Sequence, residues 1–163
     1  MDGQFAAFLR KRAERNFRSL LSELDGVSAN DAGQFRLANW PDHKWGVGQD
    51  GSIAGIVYHV AAWKQMTLPV FEPGGRPLDR SEFDASMAPA PDNWTAVELW
   101  LRNIGETWNA RLHALADDEF DVTREWEGVM LPITSFVVEM MEHDIQHASQ
   151  IAYLKQRLLA GHN

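Results

Sequence analysis

The 163-residue sequence predicts an all-α protein, arranged as an up-and-down bundle of four helices joined by long loops. Two observations lead to this prediction. Four segments repeat apolar residues at helical spacing, so each needs neighbours against which to bury its apolar stripe. No segment sustains the alternation of apolar and polar residues that is typical of half-buried strands. The length suits one hydrophobic core, and we predict a single domain over residues 1–163.

The first two helices have clear boundaries. The first is predicted from Gln4 to Leu24, where the following Asp-Gly pair ends it. Its predicted apolar stripe consists of Phe5, Phe8, Leu9, Phe17, Leu20, Leu21 and Leu24. The second helix follows "GVGQDGS", with Asp50 or Ser52 as its N-cap, and Pro69 prevents its continuation.

The third helix is predicted to begin at Asp92 or Asn93, either of which can cap it, and to end near Leu115. The fourth opens at Pro132, a residue tolerated in a first helical turn, and extends to Ala160. Between them, "FDVTREWEGVML" is compatible with a short hairpin or strand. The remaining connections are long for a compact domain, which suggests that they fold locally or have a function.

Composition excludes several functional classes. The sequence has no cysteine, so disulfides, a cysteine nucleophile and thiolate metal ligands are ruled out. A net charge of -8 and a pI near 5.1 argue against binding to nucleic acid. No apolar stretch is long enough to span a membrane, and the first residues do not resemble a signal peptide. We therefore expect a cytoplasmic protein.

The last predicted helix contains "HDIQH", which places His143 and His147 four residues apart on one face. That face continues through Met140 and Ile151, so both histidines are predicted to point inward. His59 lies in the middle of the second helix on a similar apolar line. Such a pair alone is more typical of a solvated helix surface than of a metal site. Three inward histidines, however, would each carry a polar nitrogen that needs a partner, and one divalent metal ion satisfies all three.

Other candidate site residues surround these histidines. Trp63 lies one turn after His59 and is predicted to line a pocket. Trp45 in the preceding loop is predicted either to line or cover that pocket or only to anchor the loop. Glu139 lies one turn before His143, where it can serve as a general base or as a solvated surface carboxylate. We expect Asp144, on another face of the helix, to be exposed or to lie between subunits.

The combination and order of these motifs resemble the DinB/YfiT-like superfamily. The resemblance rests on "SIAGIVYHVAAW" in the second helix, the tryptophan-bearing loop "NWPDHKWGVGQDGS" before it, and the closing "EHDIQHASQIAYLKQRL". It implies a helix bundle with a zinc or nickel ion held by His59, His143 and His147, and a homodimer. Known activities in that superfamily include transferases that use low-molecular-weight thiols, a thiol-dependent isomerase and metal-dependent hydrolases.

Three functional hypotheses follow. The first is a metal-dependent S-transferase that joins a small cofactor thiol to an electrophilic small molecule, as in detoxification. The second is a hydrolase in which metal-activated water attacks the substrate. The third is a stress protein that binds a metal or small ligand without turning it over. The absence of cysteine is compatible with an imported thiol, and the seven tryptophans are compatible with an aromatic pocket.

Overall fold

Helices account for most of the chain. The computed structural model describes residues 3–37, 50–86, 88–90 and 92–161. Its α-helices are α1 (Gly3–Ser22), α2 (Ala29–Gln34), α3 (Ile53–Thr67), α4 (Arg80–Asp84), α5 (Trp94–Ala114) and α6 (Ile133–Gly161). Two short 3-10 helices lie at Leu68–Phe71 and Glu119–Asp121, and an antiparallel pair of strands comprises β1 (Thr123–Trp126) and β2 (Val129–Pro132). The predicted all-α class is confirmed, with this hairpin as the one β-sheet in the described residues.

Both candidate caps of α3 contribute to its first turn. The side chain of Ser52 accepts a hydrogen bond from the N–H of Gly55, and the Asp50 carboxylate accepts from both the N–H and the hydroxyl of Ser52. Asn93 caps α5 by accepting from the N–H of Ala96. These bonds satisfy N–H groups that have no partner inside the helix, which is why the helices start where the cap residues stand. The end of α3 comes two residues before Pro69, as expected.

The four long helices pack side by side. Helix α1 contacts α5 and α6, and α3 contacts the same two helices. The inward stripe of α1 differs from the prediction in its first turns: Phe5 and Phe8 are exposed and stack on each other, and Ala6 is buried in their place, together with the predicted Leu9. Ala6 and Leu9 share the face of the later core residues, and the two phenylalanines lie one position away from it.

Part of the long connections folds locally. Ser28 and Asp79 each form a reciprocal capping box that starts a short helix, α2 and α4 respectively. The hairpin expected before the last helix is present. Its turn places Glu127 and Gly128 at positive φ, a combination typical of two-residue hairpin turns. None of the helices in the described ranges has the length and apolar character needed to cross a bilayer.

Candidate metal centre

Three histidine side chains meet between α3 and α6. The Nε2 atom of His143 lies 2.9 Å from Nε2 of His59 and 3.1 Å from Nε2 of His147. His59 and His147 are buried, and His143 is partly buried. The spacing of four residues puts His143 and His147 one helical turn apart, and the packing of α3 against α6 supplies His59. The structure therefore brings together all three histidines that the sequence singled out.

Gln150 determines which ring nitrogen of His147 carries the proton. Its Oε1 atom lies 2.6 Å from Nδ1 of His147. Because an amide oxygen only accepts hydrogen bonds, Nδ1 must carry the proton in this contact. In a neutral imidazole the other nitrogen, Nε2, then holds a lone pair, and that atom is the one facing the other histidines. Metal-binding histidines are typically oriented by such a partner on the second nitrogen.

The donor set fits a divalent metal ion. The lone pair of His147 and the nitrogens of His59 and His143 converge on one small region, and their ligand atoms all lie within 4.8 Å of one another. One hydrogen cannot join three nitrogens in straight hydrogen bonds, whereas one cation accepts a lone pair from each. Zinc–nitrogen bonds of about 2.0–2.1 Å in a tetrahedral site separate the ligand nitrogens by roughly 3.4 Å, close to the distances here.

This cluster has the composition of an open site. Within the described ranges, no further histidine or carboxylate joins the three histidines. Structural zinc sites usually have four protein ligands, and catalytic sites have three and leave a position for water or substrate. His113 is exposed on α5, outside the cluster. His43 and His162 lie outside the described residues, as does the predicted pocket residue Trp45.

A cavity of about 290 Å³ adjoins the histidines. Its lining residues are Trp63, Trp126, Glu139, Met140, Glu142, His143 and Gln146. The ring centroid of Trp63 lies 6.2 Å from those of both His59 and His143 and 5.9 Å from that of Trp126, so this side chain adjoins both the histidines and Trp126. The structure thus places Trp63 and Glu139 in the wall of one cavity, and His143 is the member of the histidine cluster that lines it. Trp126 and Gln146 were not identified from the sequence.

Glu139 has an altered acidity. The residue is exposed to solvent, but the atoms packed around its carboxyl group partly desolvate that group and raise its pKa above the ordinary value, and the nearby carboxylate of Glu142 adds to this effect. Both causes disfavour the ionised form. A carboxyl group with a raised pKa beside a cavity is better suited to exchange a proton near neutral pH than an ordinary surface glutamate.

The expectation that Asp144 is exposed is wrong. Its side chain is buried, and its Oδ2 atom lies 2.9 Å from Nζ of Lys64, which is buried as well. Burial raises the pKa of Asp144, and the ammonium group of Lys64 acts in the opposite direction. A single sequence gives little sign of this pair, because the two residues are 80 positions apart. The available signal was the position of Lys64 on α3, where Val60, Ala61 and Thr67, one turn away, are buried.

Comparison with known proteins gives a family match over most of the chain. The family model described as the DinB superfamily matches residues 9–151, which include α3, the hairpin and the three histidines. No curated protein matched the chain.

Proposed function

The chain belongs to the DinB superfamily, and from that premise we propose that it is a divalent-metal-dependent enzyme. The proposed reaction is transfer of a low-molecular-weight thiol to a small electrophile. One observation carries the proposal: three imidazole nitrogens converge beside a cavity large enough for a small ligand, without a fourth ligand residue in the described ranges. Zinc and nickel are the metals we propose, because both bind imidazole nitrogen well.

His59, His143 and His147 would hold the metal, which when bound would lower the pKa of a thiol that it coordinates. In the transfer, the thiol sulfur forms a bond to the electrophilic carbon, the leaving group departs with its electron pair, and the thiol proton passes to solvent. Gln150 keeps the lone pair of His147 directed at the centre. Trp63 and Trp126 provide an apolar wall that limits access of water to the electrophile.

The direct test is metal content followed by activity. Protein purified without an affinity tag is expected to contain zinc or nickel, and the His59→Ala and His147→Ala variants are expected to lose it. His113→Ala, which changes an exposed histidine outside the cluster, is the matched control. The metal-loaded protein is then incubated with glutathione, mycothiol or bacillithiol and monochlorobimane. Rates equal to the metal-free background with every thiol would contradict the transferase proposal.

Glu139 supports a second candidate, a metal-dependent hydrolase. Its carboxyl group lines the cavity one turn from His143, and its raised pKa suits a group that accepts a proton from an attacking water. Ester and amide substrates would separate the two proposals, because a hydrolase releases the acid without any added thiol. The Glu139→Gln variant should then lose hydrolysis while it still binds metal.

We also propose that the four long helices form the predicted up-and-down bundle, which the contacts of α1 and α3 with both α5 and α6 support. A homodimer, the single domain and a cytoplasmic location remain predictions. Light scattering coupled to size-exclusion chromatography measures the mass in solution directly, and a mass of 18.4 kDa would contradict the dimer.

A further inference from the structure

The cavity beside the histidines has two chemically different walls. One consists of the rings of Trp63 and Trp126, which meet edge to face with centroids 5.9 Å apart. The other is a face of α6, on which Glu139, Glu142 and Gln146 accompany His143 at helical spacing. Trp126 also stacks on Phe136, which holds its ring in place. A ligand in this cavity therefore meets aromatic rings on one side and carboxylates on the other.

The charged side chains that line the cavity are all carboxylates. Among the lining residues in the described part of the chain there is no lysine or arginine. Neither Glu139 nor Glu142 forms an ion pair or a side-chain hydrogen bond with another described residue. Glu98 on α5, by contrast, is paired with Arg102. Two neighbouring carboxylates that lack a counter-ion disfavour an anionic ligand and attract a positive one.

The aromatic wall favours the same kind of ligand. Tryptophan rings bind ammonium groups through the negative potential of their faces, and the interaction strengthens when the cation loses some of its water. A ligand cation would supply the counter-charge that the carboxylates of Glu139 and Glu142 do not find among the residues lining the cavity.

We propose that this cavity receives the cationic end of a small substrate, a protonated amine or a quaternary ammonium group. The inference rests on the proposed function for the other end of the substrate, which would carry the metal-binding thiol. Residues four apart on a helix are neighbours on its surface, with Cβ atoms about 5–6 Å apart, so Glu139 and His143 lie side by side on this face of α6. The cationic group and the thiol of such a substrate would therefore be joined by a short linker.

Matched small thiols test this proposal. Zinc-loaded full-length protein is titrated by calorimetry with 3-aminopropane-1-thiol, 3-mercaptopropan-1-ol and 3-mercaptopropionate, which end in a cation, a neutral group and an anion. We expect the amine to bind about tenfold more tightly than the alcohol, from two weak ion pairs and a cation–π contact. The carboxylate should bind most weakly. Equal affinity for the three thiols would overturn the proposal.

Variants locate the preference. In the double variant Glu139→Gln/Glu142→Gln, the affinity for the amine should fall to within about twofold of the affinity for the alcohol, because both carboxylates that favour the cation are gone. Glu106→Gln combined with Asp118→Asn removes the same net charge from exposed positions outside the cavity and should leave the preference intact. An amine preference that survives in the first variant, or disappears in the second, would contradict the assignment to this cavity.

A second pair of probes separates this proposal from the thiol chemistry. Benzylamine and benzyl alcohol have similar size and no thiol, and their binding is followed by quenching of tryptophan fluorescence. If none of the thiols binds but benzylamine still binds more tightly than benzyl alcohol, the cationic site stands and the thiol-transfer function fails. If the thiols bind without regard to charge, the function stands and the cationic site fails.

Discussion

Lys64 on α3 and Asp144 on α6 form a buried ion pair, with Nζ 2.9 Å from Oδ2 and side chains that are 2% and 3% exposed. The pair joins the same two helices that carry the three histidines, and Asp144 directly follows His143 in the sequence. The ammonium group of Lys64 also lies over the rings of Phe17 and Trp108, 4.8 and 5.1 Å from their centroids. It thereby links α3 to residues of α1 and α5 as well.

Removing one member of this pair should destabilise the protein strongly. In the Lys64→Met variant the Asp144 carboxylate stays buried without its counter-ion, and we expect a loss of about 3–5 kcal/mol in the free energy of unfolding. Urea denaturation followed by circular dichroism measures the loss. The double variant Lys64→Met/Asp144→Leu removes both charges and should recover most of it. A single variant as stable as the wild type would show that the pair is exposed to water in solution.

Gly105 on α5 should not tolerate a larger residue. A Cβ atom at this position would lie 1.9 Å from Cζ of Phe17, so alanine forces the phenylalanine ring, and with it the packing of α1, to move. We expect Gly105→Ala to lower the free energy of unfolding by about 1–3 kcal/mol, although alanine is the better helix former. Gly33→Ala is the matched control, since that helical glycine has open space around its Cβ position. Equal effects of the two substitutions in thermal denaturation would contradict this account.

The sequence predicts those features that depend on local pattern. Helical periodicity and cap residues place the long helices correctly, and the spacing of His143 and His147 identifies the side of α6 that meets His59. The ion pair escapes this reasoning, because charged residues are normally exposed and the partner lies on another helix. Met140 and Ala148, one turn before and after Asp144, are buried. The apolar character of these two residues was the sign in the sequence that Asp144 lies on an inward face of α6.

Gln150 should affect metal binding although it is not a ligand. Its hydrogen bond to Nδ1 fixes the ring of His147 so that Nε2 faces the other histidines. In the Gln150→Ala variant that ring loses its partner, and we expect the affinity for zinc to fall about 10–100-fold. Competition with a chromophoric chelator measures the affinity. Gln156→Ala, which changes an exposed glutamine six residues further along α6, should match the wild type in zinc affinity. Unchanged affinity in Gln150→Ala would show that the ring is oriented by packing alone.

Glu139 should make stability depend on pH in a direction that its raised pKa fixes. Because the pKa in the folded protein lies above the ordinary value of 4.5, the folded state holds the proton more tightly than the unfolded state. The stabilising contribution of Glu139 is therefore fully present at a pH below its ordinary pKa, and it is lost as the pH rises through the raised pKa of the folded protein. Glu139→Gln removes this dependence on pH. In the absence of metal, the variant and the wild type should therefore have the same melting temperature in acid, and the variant should have the higher melting temperature at neutral pH. The measurement is the melting temperature from pH 4 to 8, with Glu106→Gln as the control. A difference that stays constant with pH, or that favours the wild type at neutral pH, would contradict the assignment of the shift to burial beside Glu142.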